Sequence, residues 1–476
     1  MGVTSGYRRF AFRAVLFFGV LLLGVLPFGV WRLRRPKAAR GDTVRFDGSA
    51  FTILVLGGST ALGEPYYPKA DLGKIVSYLF EDRIKGHEIR VVNLGGFGKP
   101  AAAVAADADA IAHTKPPAGT AVAFLYIGNN EFLKFDVHHD LRHPDRRLFD
   151  TPIIPAEQRR EVLQEYGRLI DRTITQLQRA GLPVIASTVA VNLKDWDPNR
   201  SVLADPAHEA IIASMLRAGD EKADSGNPEE ALASYRAILE IEPGFSLAHK
   251  KAGDCSRRLG RLDLARTYYQ NAVDHDGNPQ RETSEQRMIL EDVCRRHQVP
   301  IVDAAAILEN VSQDHLLGYD LMWDNCHPTL EGYVRIAEGF ADRMESMLGI
   351  SRKRLHPGVP AIEQALGIDA DFKRDVLKSR GQYCYLCSTI TWNPSARLQR
   401  AELYLDAAAR ISPDDADVNC SMAVLAALEG DRDRSIASWR KAYATNAALT
   451  RERITNPYVG QILERNGIGG LSSILK

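Results

Sequence analysis

Apolar, partly β-branched runs alternate with helical stretches from residue 51 onward, and this alternation is the strongest constraint on the fold. It is typical of a parallel sheet whose two faces are covered by helices. The strands are predicted at residues 51–56, 89–93, 121–127, 183–189 and 299–302. The helices are predicted at residues 71–85, 100–113, 156–180 and 284–297, with a last helix that begins near Thr329. The sequence therefore predicts an α/β domain with a five-stranded parallel sheet.

A repeat interrupts this pattern between the fourth and fifth strands, where residues 190–298 are far more than a crossover needs. Small and aromatic residues recur there with a period of 34: Gly219 and Gly253, Gly226 and Gly260, Ala231 and Ala265, Tyr235 and Tyr269. This pattern resembles the tetratricopeptide repeat. The same spacing returns more faintly near the C-terminus, in Ala401 and Ser435, Leu405 and Trp439, and Ala408 and Ala442. Both regions are therefore predicted to be pairs of helices.

The N-terminal region contains an apolar run without a charge at residues 14–31, long enough to span a bilayer. No small-x-small cleavage site comes after it, so we predict an uncleaved anchor rather than a signal peptide. The count of Arg and Lys on its two sides favours a cytoplasmic location for the bulk of the chain. Short N-terminal anchors nevertheless often direct the export of the domain attached to them. We expect a single-pass membrane protein whose soluble part is periplasmic rather than cytoplasmic, with the orientation left open.

Charge and cysteine content exclude several classes of protein. Lys plus Arg and Asp plus Glu are both 60, so bulk charge does not favour binding of nucleic acid. Six cysteines in a chain of 476 residues do not make a disulfide framework. Cys384 and Cys387 have the spacing of a metal or redox pair, but no second such pair or nearby histidine completes a site. We predict neither a metal nor a cofactor.

Polar residues come directly after the predicted strands, where ligands of open α/β sheets bind. Ser59 lies after the first strand, Gly95 after the second and Asn130 after the third. Before the last helix, Asp324 precedes His327 by three residues, and residues with this spacing in a turn share a face. A carboxylate can then hold an imidazole while the imidazole addresses a third group. Taken singly, each residue could instead cap a helix or form a turn.

These four segments resemble the four blocks of the SGNH (GDSL-like) hydrolase superfamily, in the same order and at the same places in the fold. The matching strings are GGST, NLGGFG, GNNEF and DNCHPT. Two positions depart from the pattern, because GGST replaces the GDSL string and Glu131 stands where Asp is commoner. The N-terminal anchor and the repeats resemble a bacterial membrane-anchored subgroup. The resemblance implies a three-layer SGNH-like fold.

The resemblance also implies a role for each residue. Ser59 is the expected nucleophile, His327 its base and Asp324 the residue that orients His327, because a serine hydroxyl attacks only when a base removes its proton. The expected oxyanion hole consists of the backbone N–H groups of Ser59 and Gly95 and the side-chain amide of Asn130. Hydrolysis of an ester on a carbohydrate or a lipid, without a cofactor, is the function implied.

Two other functions stay open at this point. An O-acyltransferase would use the same residues, with a hydroxyl in place of water. A repeat scaffold for protein partners, with a degenerate hydrolase unit, is the alternative of another class. The predicted boundaries are 1–40 for the anchor, 41–209 and 280–350 for the hydrolase-like domain, 210–279 for the inserted repeats, 351–381 for a linker, and 382–476 for the C-terminal repeats.

Several further residues are candidates for the rim of the site. Tyr66, Tyr67 and Trp323 flank the motifs and could line a pocket for an acyl group or a sugar, although packing in the core explains them equally well. A polar loop contains three histidines, which we interpret as solvated or as part of the substrate rim rather than as metal ligands: His138, His139 and His143.

Overall fold

A six-stranded sheet, built from strands between residues 50 and 302, forms the centre of the α/β unit. The structure, a computed structural model, describes residues 44–46, 48–133, 154–389, 391 and 394–469. The strands are β1 (Ala50–Gly57), β2 (Arg83–Ile84), β3 (His87–Asn93), β4 (Ala121–Tyr126), β5 (Val184–Ser187) and β6 (Ile301–Val302). Their order across the sheet is β2-β3-β1-β4-β5-β6. Five strands are parallel, as predicted, and only β2 pairs antiparallel, with β3.

The extra strand β2 shortens the helix predicted at residues 71–85. Glu81, Asp82 and Lys85 all have positive φ angles, which an α-helix does not tolerate. Lys85 and Gly86, with φ angles of 49° and 84°, form the two-residue turn between β2 and β3. The helix consequently ends at Leu79.

Helices cover both faces of the sheet, which confirms the predicted three-layer α/β class. On the first face are α2 (Leu72–Leu79), α10 (Ala304–Val311) and α11 (Leu330–Leu348); on the second are α3 (Ala101–Ile111), α4 (Ala156–Arg179) and α9 (Ser284–Arg296). Side chains of β1 alternate between the faces: Ile53 and Val55 pack on the first, Leu54 and Leu56 on the second. Both faces are apolar because both are buried.

The insert, defined here by its four helices, lies between β5 and β6. These helices are α5 (Glu209–Asp224), α6 (Pro228–Ile241), α7 (Ser246–Arg258) and α8 (Leu262–Asp274). A Cβ atom on Gly219 would lie 2.6 Å from the Tyr235 ring, and one on Gly253 would lie 2.7 Å from the Tyr269 ring. The repeated glycines are therefore the points where neighbouring helices cross most closely. Tyr269 also packs on the first face of the sheet.

The C-terminal helical region, residues 359–465, begins within the predicted linker. Its helices are α12 (Val359–Leu366), α13 (Ala370–Ser388), α14 (Pro394–Ile411), α15 (Ala416–Leu428), α16 (Arg432–Thr445), α17 (Ala447–Ile454) and α18 (Pro457–Arg465). Helix α12 and the first part of α13 therefore occupy most of the segment predicted as a linker, residues 351–381. Pro360 sits in the first turn of α12, where proline is tolerated, and the Asp369 side chain caps α13.

The predicted single-pass membrane location is corrected by the structure. Within the described residues, no helix is both long enough and apolar enough to cross a bilayer. The predicted span at residues 14–31 lies outside the described residues.

Candidate active site

Ser59 lies directly after β1, in a turn that only glycine permits. Gly57 has a φ angle of 152°, and a Cβ atom there would lie 1.9 Å from the carbonyl oxygen of Tyr126. The backbone turns at Gly58 into α1 (Ser59–Leu62), so Ser59 occupies the first position of a short helix. Only 7% of Ser59 is exposed. Strand end, turn and helix together fix the hydroxyl at the carboxyl edge of the sheet.

The segment before α11 brings His327 to this serine. His327 Nε2 lies 2.8 Å from Ser59 Oγ, although 268 positions separate the two residues. His327 Nδ1 lies 2.9 Å from both carboxylate oxygens of Asp324. If Nδ1 carries the proton, Nε2 is free to accept the serine proton. The three residues form one continuous hydrogen-bonded chain.

Asp324 is fully buried, and its carboxylate is well supplied with donors. The backbone N–H groups of Cys326 and His327 donate to Oδ1 at 3.0 and 2.9 Å. Burial alone would raise the pKa of Asp324, but the His327 imidazole and the Arg380 guanidinium lower it below its ordinary value. Burial lowers the pKa of His327, but the Asp324 carboxylate and the Cys326 side chain together raise it by more, so that it lies above its ordinary value. Asp324 is therefore ionised and orients the imidazole.

An arginine from the C-terminal helical region reaches this carboxylate. Arg380, on α13, donates from Nη1 to Asp324 Oδ2 and from Nη2 to Glu64 Oε1, each at 2.7 Å. The side chains of Arg380, Glu64 and Asp324 are only 5%, 2% and 0% exposed. Neither Glu64 nor Arg380 is predicted from the sequence, because no motif contains either residue and Arg380 lies in the predicted linker.

The N–H groups expected to form the oxyanion hole differ in whether they already donate a hydrogen bond within the protein. Among the described residues, the backbone N–H of Ser59 has no hydrogen-bond partner. Asn130 donates from Nδ2 to the carbonyl oxygen of Lys99 at 3.1 Å, and a Cβ atom on Gly58 would lie 2.3 Å from the same nitrogen. The Asn130 amide thus lies against the residue before Ser59, and its second N–H remains for another acceptor.

Gly95 is already engaged in this structure. Its N–H donates to Asn93 Oδ1 at 2.8 Å, so it differs from the expected free donor. A Cβ atom on Gly95 would lie 2.4 Å from the backbone nitrogen of Leu62. Gly95 is required because its backbone packs directly on α1, and Asn93 supplies the nearest acceptor.

Glu131, the other departure from the family pattern, supports the neighbouring helix. Both of its carboxylate oxygens lie 3.2 Å from the backbone nitrogen of Ala101, the first residue of α3. Burial raises the pKa of Glu131 to about 7, and this N–H partly opposes the rise. A carboxylate at a helix N-terminus satisfies a donor that the helix itself leaves unpaired. Glu131 therefore helps to hold the loop that contains Asn130.

Two of the predicted rim residues hold the site together instead. The Trp323 indole donates to the hydroxyl oxygen of Tyr66 at 2.9 Å, and that oxygen also accepts from the backbone of Leu330. Tyr66 is 5% exposed. This network joins the segment after Ser59 to the segment around His327. The histidines predicted for the rim, at positions 138, 139 and 143, lie outside the described residues.

Neither the Cys384–Cys387 pair nor the group around His327 is suited to bind a metal ion. Cys384 and Cys387 are buried in the core of the C-terminal helical region. Within the described residues, one potential ligand group places its atoms within 4.8 Å of one another: Asp324, Cys326 and His327. Its carboxylate already pairs with the Arg380 guanidinium, and its imidazole faces Ser59. Because a metal would have to compete with a buried arginine, these residues do not fit one.

Comparison with known proteins gives structural neighbours only. No family model matches the sequence, and no curated protein does. A member of the lipolytic protein G-D-S-L family from Veillonella parvula DSM 2008 is 12% identical and covers 62% of this chain and 97% of its own, with a TM-score of 0.29.

Two helical repeat proteins are also similar. YrrB, a TPR protein with an unusual peptide-binding site, is 14% identical and covers 52% of this chain and 94% of its own, with a TM-score of 0.16. The assembly chaperone of RpL4, Acl4, is 16% identical and covers 54% and 85%, with a TM-score of 0.18. These neighbours are of the two predicted kinds, GDSL and tetratricopeptide. At these identities and TM-scores they say nothing about activity, which has to be argued from the site.

Proposed function

We propose that this protein is a serine esterase or acylhydrolase that works through an acyl-enzyme. The observation that carries the proposal is the hydrogen-bonded chain from Asp324 through His327 to Ser59, with distances of 2.9 and 2.8 Å. A serine hydroxyl beside an oriented imidazole is the arrangement that acyl transfer requires. Buried structural serines rarely need a histidine whose other nitrogen is held by a carboxylate.

The first half of the reaction transfers the acyl group to the enzyme. His327 Nε2 takes the proton from Ser59 Oγ as Oγ forms a bond with the carbonyl carbon of the ester. The negative charge that develops on the carbonyl oxygen is stabilised by the Ser59 backbone N–H and the second N–H of Asn130. Gly95 joins them only if its N–H leaves Asn93. The C–O bond of the ester then breaks, and His327 gives its proton to the departing alcohol.

The second half repeats these steps with water as the nucleophile. His327 takes a proton from water, the acyl–Ser59 bond breaks, and the carboxylic acid leaves with Ser59 protonated again. A carbohydrate or lipid hydroxyl in place of water would make the same protein an O-acyltransferase. The substrate class we propose is an ester of a carbohydrate or a lipid, and the repeats are candidates for binding a protein partner.

Labelling with a serine-directed fluorophosphonate tests the nucleophile. We expect Ser59 to be labelled and Ser59→Ala and His327→Ala to abolish labelling. Ser187→Ala is the matched control, because Ser187 is equally buried at the end of β5 but donates only to backbone carbonyl oxygens, at 2.8 and 3.0 Å. Absence of labelling in folded wild-type protein would overturn the proposal and favour a repeat scaffold for partners.

A second measurement determines whether water or another hydroxyl group accepts the acyl group. The protein is incubated with aryl esters, acetylated sugars and lysophospholipids, each with and without a hydroxyl acceptor. Release of free acid alone indicates hydrolysis, and acylated acceptor indicates transfer. No release from any substrate, together with labelling of Ser59, would remove esters of these classes from the proposal.

A further inference from the structure

Arg380 reaches the site from outside the α/β unit, on helix α13. Its guanidinium forms a fork between two buried carboxylates, Asp324 and Glu64, at 2.7 Å each. Because the two nitrogens belong to one planar, rigid guanidinium, it fixes the two carboxylates relative to each other, which the single nitrogen of a lysine does not. We infer that Arg380 is a positioning residue for the proposed acyl transfer, held by Glu64 and acting on His327 through Asp324.

The charge count explains why the fork has this composition. Asp324 and Glu64 are two buried carboxylates, and two uncompensated carboxylates in such a place would not both stay ionised. One guanidinium between them leaves a single net negative charge for His327. Glu64 is essential to this arrangement, because without it Arg380 would have Asp324 as its only carboxylate partner and would compete with His327 for it.

The position of the guanidinium also affects the imidazole directly. Arg380 Nη1 lies 3.4 Å from His327 Nδ1, so the cation opposes protonation of His327 while Asp324 favours it. The other polar neighbours of His327 are Ser59, at 2.8 Å from Nε2, and Cys326, whose sulfur lies 3.8 Å from Nδ1. The Tyr383 ring lies 6.3 Å away, edge to face. Arg380 is the only cation among these described neighbours, so it is the group that opposes the rise in the pKa of His327 caused by Asp324.

A purely structural role for Arg380 makes different predictions. In that case Arg380 would only attach α13 to the α/β unit, and any equally buried arginine at the same interface would be equivalent. Arg397 provides that comparison. It is 2% exposed and donates to the carbonyl oxygens of Cys387 and Asp197, at 2.7 and 2.8 Å, without contacting the site.

The test uses the full chain and four variants. Glu64→Gln with Arg380→Met removes both charges and leaves no new unpaired carboxylate. Arg380→Lys keeps the charge but loses the fork. Arg397→Met is the control for burial at the interface, and His327→Gln identifies the His327 signal among the 12 histidines in NMR. The readouts are kcat and KM on an ester that wild type hydrolyses, the pH dependence of fluorophosphonate labelling, and the NMR titration of His327.

We expect the double variant to lose about 10- to 100-fold in kcat with little change in KM, since the base is misplaced while substrate contacts remain. Its His327 titration and the acid limb of labelling should both move up, by at most about one pH unit, because the removed cation lies 3.4 Å from His327 Nδ1 and outweighs the removed Glu64 carboxylate, which bonds the other guanidinium nitrogen. Arg380→Lys should recover part of kcat. Arg397→Met should change none of these quantities when it is folded.

Two results would overturn the inference. One is a double variant whose kcat and His327 titration equal those of wild type. The other is an Arg397→Met variant with the same losses, which would make Arg380 only one of several interface residues. The inference rests on the proposed function, and the NMR titration separates the two. If wild type is not labelled, the esterase proposal fails. If the pKa of His327 is nevertheless higher in the double variant, the inferred effect of Arg380 on the imidazole still holds.

Discussion

The insert and the C-terminal helical region are both helix pairs with the same repeat spacing, yet they meet the α/β unit in different ways. The insert is joined at its base, where Asp276 accepts from the backbone of Asn199 and Arg200 at 2.8 and 3.0 Å. The C-terminal helical region instead contacts the site. Besides Arg380, Tyr404 donates to the carbonyl oxygen of Trp323 at 2.8 Å. Among the described residues, no hydrogen bond or ion pair joins the insert to Ser59, Asp324 or His327.

A repeat period therefore predicts the local shape of a region and leaves its role open. Small residues recur in both regions because two helices have to cross closely. What distinguishes the regions is the charge that each buries against the α/β unit. The C-terminal helical region buries the Arg380 guanidinium between two carboxylates of the site. The insert also buries a cation, Lys250, but its partners Asp254 and Asp197, at 2.8 and 3.6 Å, lie outside the site. We therefore expect changes in the two regions to differ in size and in their effect on catalysis.

The largest contrast concerns single removal of a cation. Arg380→Met leaves Glu64 and Asp324 without their partner, and breaking a buried pair in this way costs about 3–5 kcal/mol. Lys251→Met in the insert breaks a pair with Asp220 whose side chains are 18% and 34% exposed, so it should cost at most about 1 kcal/mol. Urea denaturation of both variants measures the difference. Equal losses of stability would show that the two regions do not differ in how strongly their ion pairs stabilise the fold.

The next prediction contrasts Asp324, which is paired with Arg380, with a buried carboxylate that has no paired cation. Glu282, just after the insert, is 5% exposed, accepts from Val189 N at 3.1 Å, and burial raises its pKa to about 8. A carboxyl group whose pKa is higher in the folded state binds a proton preferentially there, so stability falls as pH rises towards 8. Between pH 5 and 8 the fall is at most about 1.4 kcal/mol per pH unit.

Glu282→Gln should remove this part of the pH dependence, since the amide does not ionise. The free energy of unfolding at pH 5 and pH 8 is compared for the variant and for wild type, so that contributions of Glu131 cancel. A slope equal to that of wild type would show that Glu282 is not the carboxyl group responsible. Asp324, whose pKa is lowered, stabilises the protein at neutral pH and loses that contribution only in strong acid.

The smallest contrast uses matched glycines. A Cβ atom on Gly253 in the insert would lie 2.7 Å from the Tyr269 ring, and one on Gly381 would lie 2.7 Å from Leu405 Cγ. Substitution by Ala should cost about 1–3 kcal/mol through overpacking, reduced by about 1 kcal/mol through better helix propensity.

Only the variant beside the site should change catalysis. Gly381→Ala displaces α13 next to Arg380, so we expect a lower kcat on the test ester. Gly253→Ala should reduce the urea midpoint with kcat intact. A normal kcat in Gly381→Ala, with a reduced midpoint, would show that small displacements of α13 do not reach Asp324.

Much of the fold is predictable from the sequence because its strands are continuous apolar runs. The strands β1 and β4 can be recognised from the sequence alone, because a strand that is buried on both faces consists of a nearly continuous apolar run. The edge strand β2 escapes prediction because two residues and a turn carry almost no periodic signal. Helix α12 escapes prediction because Pro357 and Pro360 resemble a break, although proline suits the first turn of a helix.

The site is predictable where residues lie close together in sequence. Asp324 and His327 are three positions apart, and a strand end places Ser59. Arg380 is not predictable, because it lies in the segment predicted as a linker and belongs to no motif. Its partner Glu64 lies five positions after Ser59 in a stretch that could equally be a surface loop. Pairing between distant charges leaves no trace in a single sequence.

The late position of Arg380 in the sequence determines when the site is completed during translation. His327 is synthesised 53 residues before Arg380. At typical rates of translation this gap amounts to about 3–10 seconds. During that time the nascent chain holds Ser59, Asn130, Asp324 and His327 but has no cation for the two carboxylates. The site is therefore complete only late in synthesis. A chain that terminates before Arg380 contains every recognisable motif but lacks the Arg380 guanidinium.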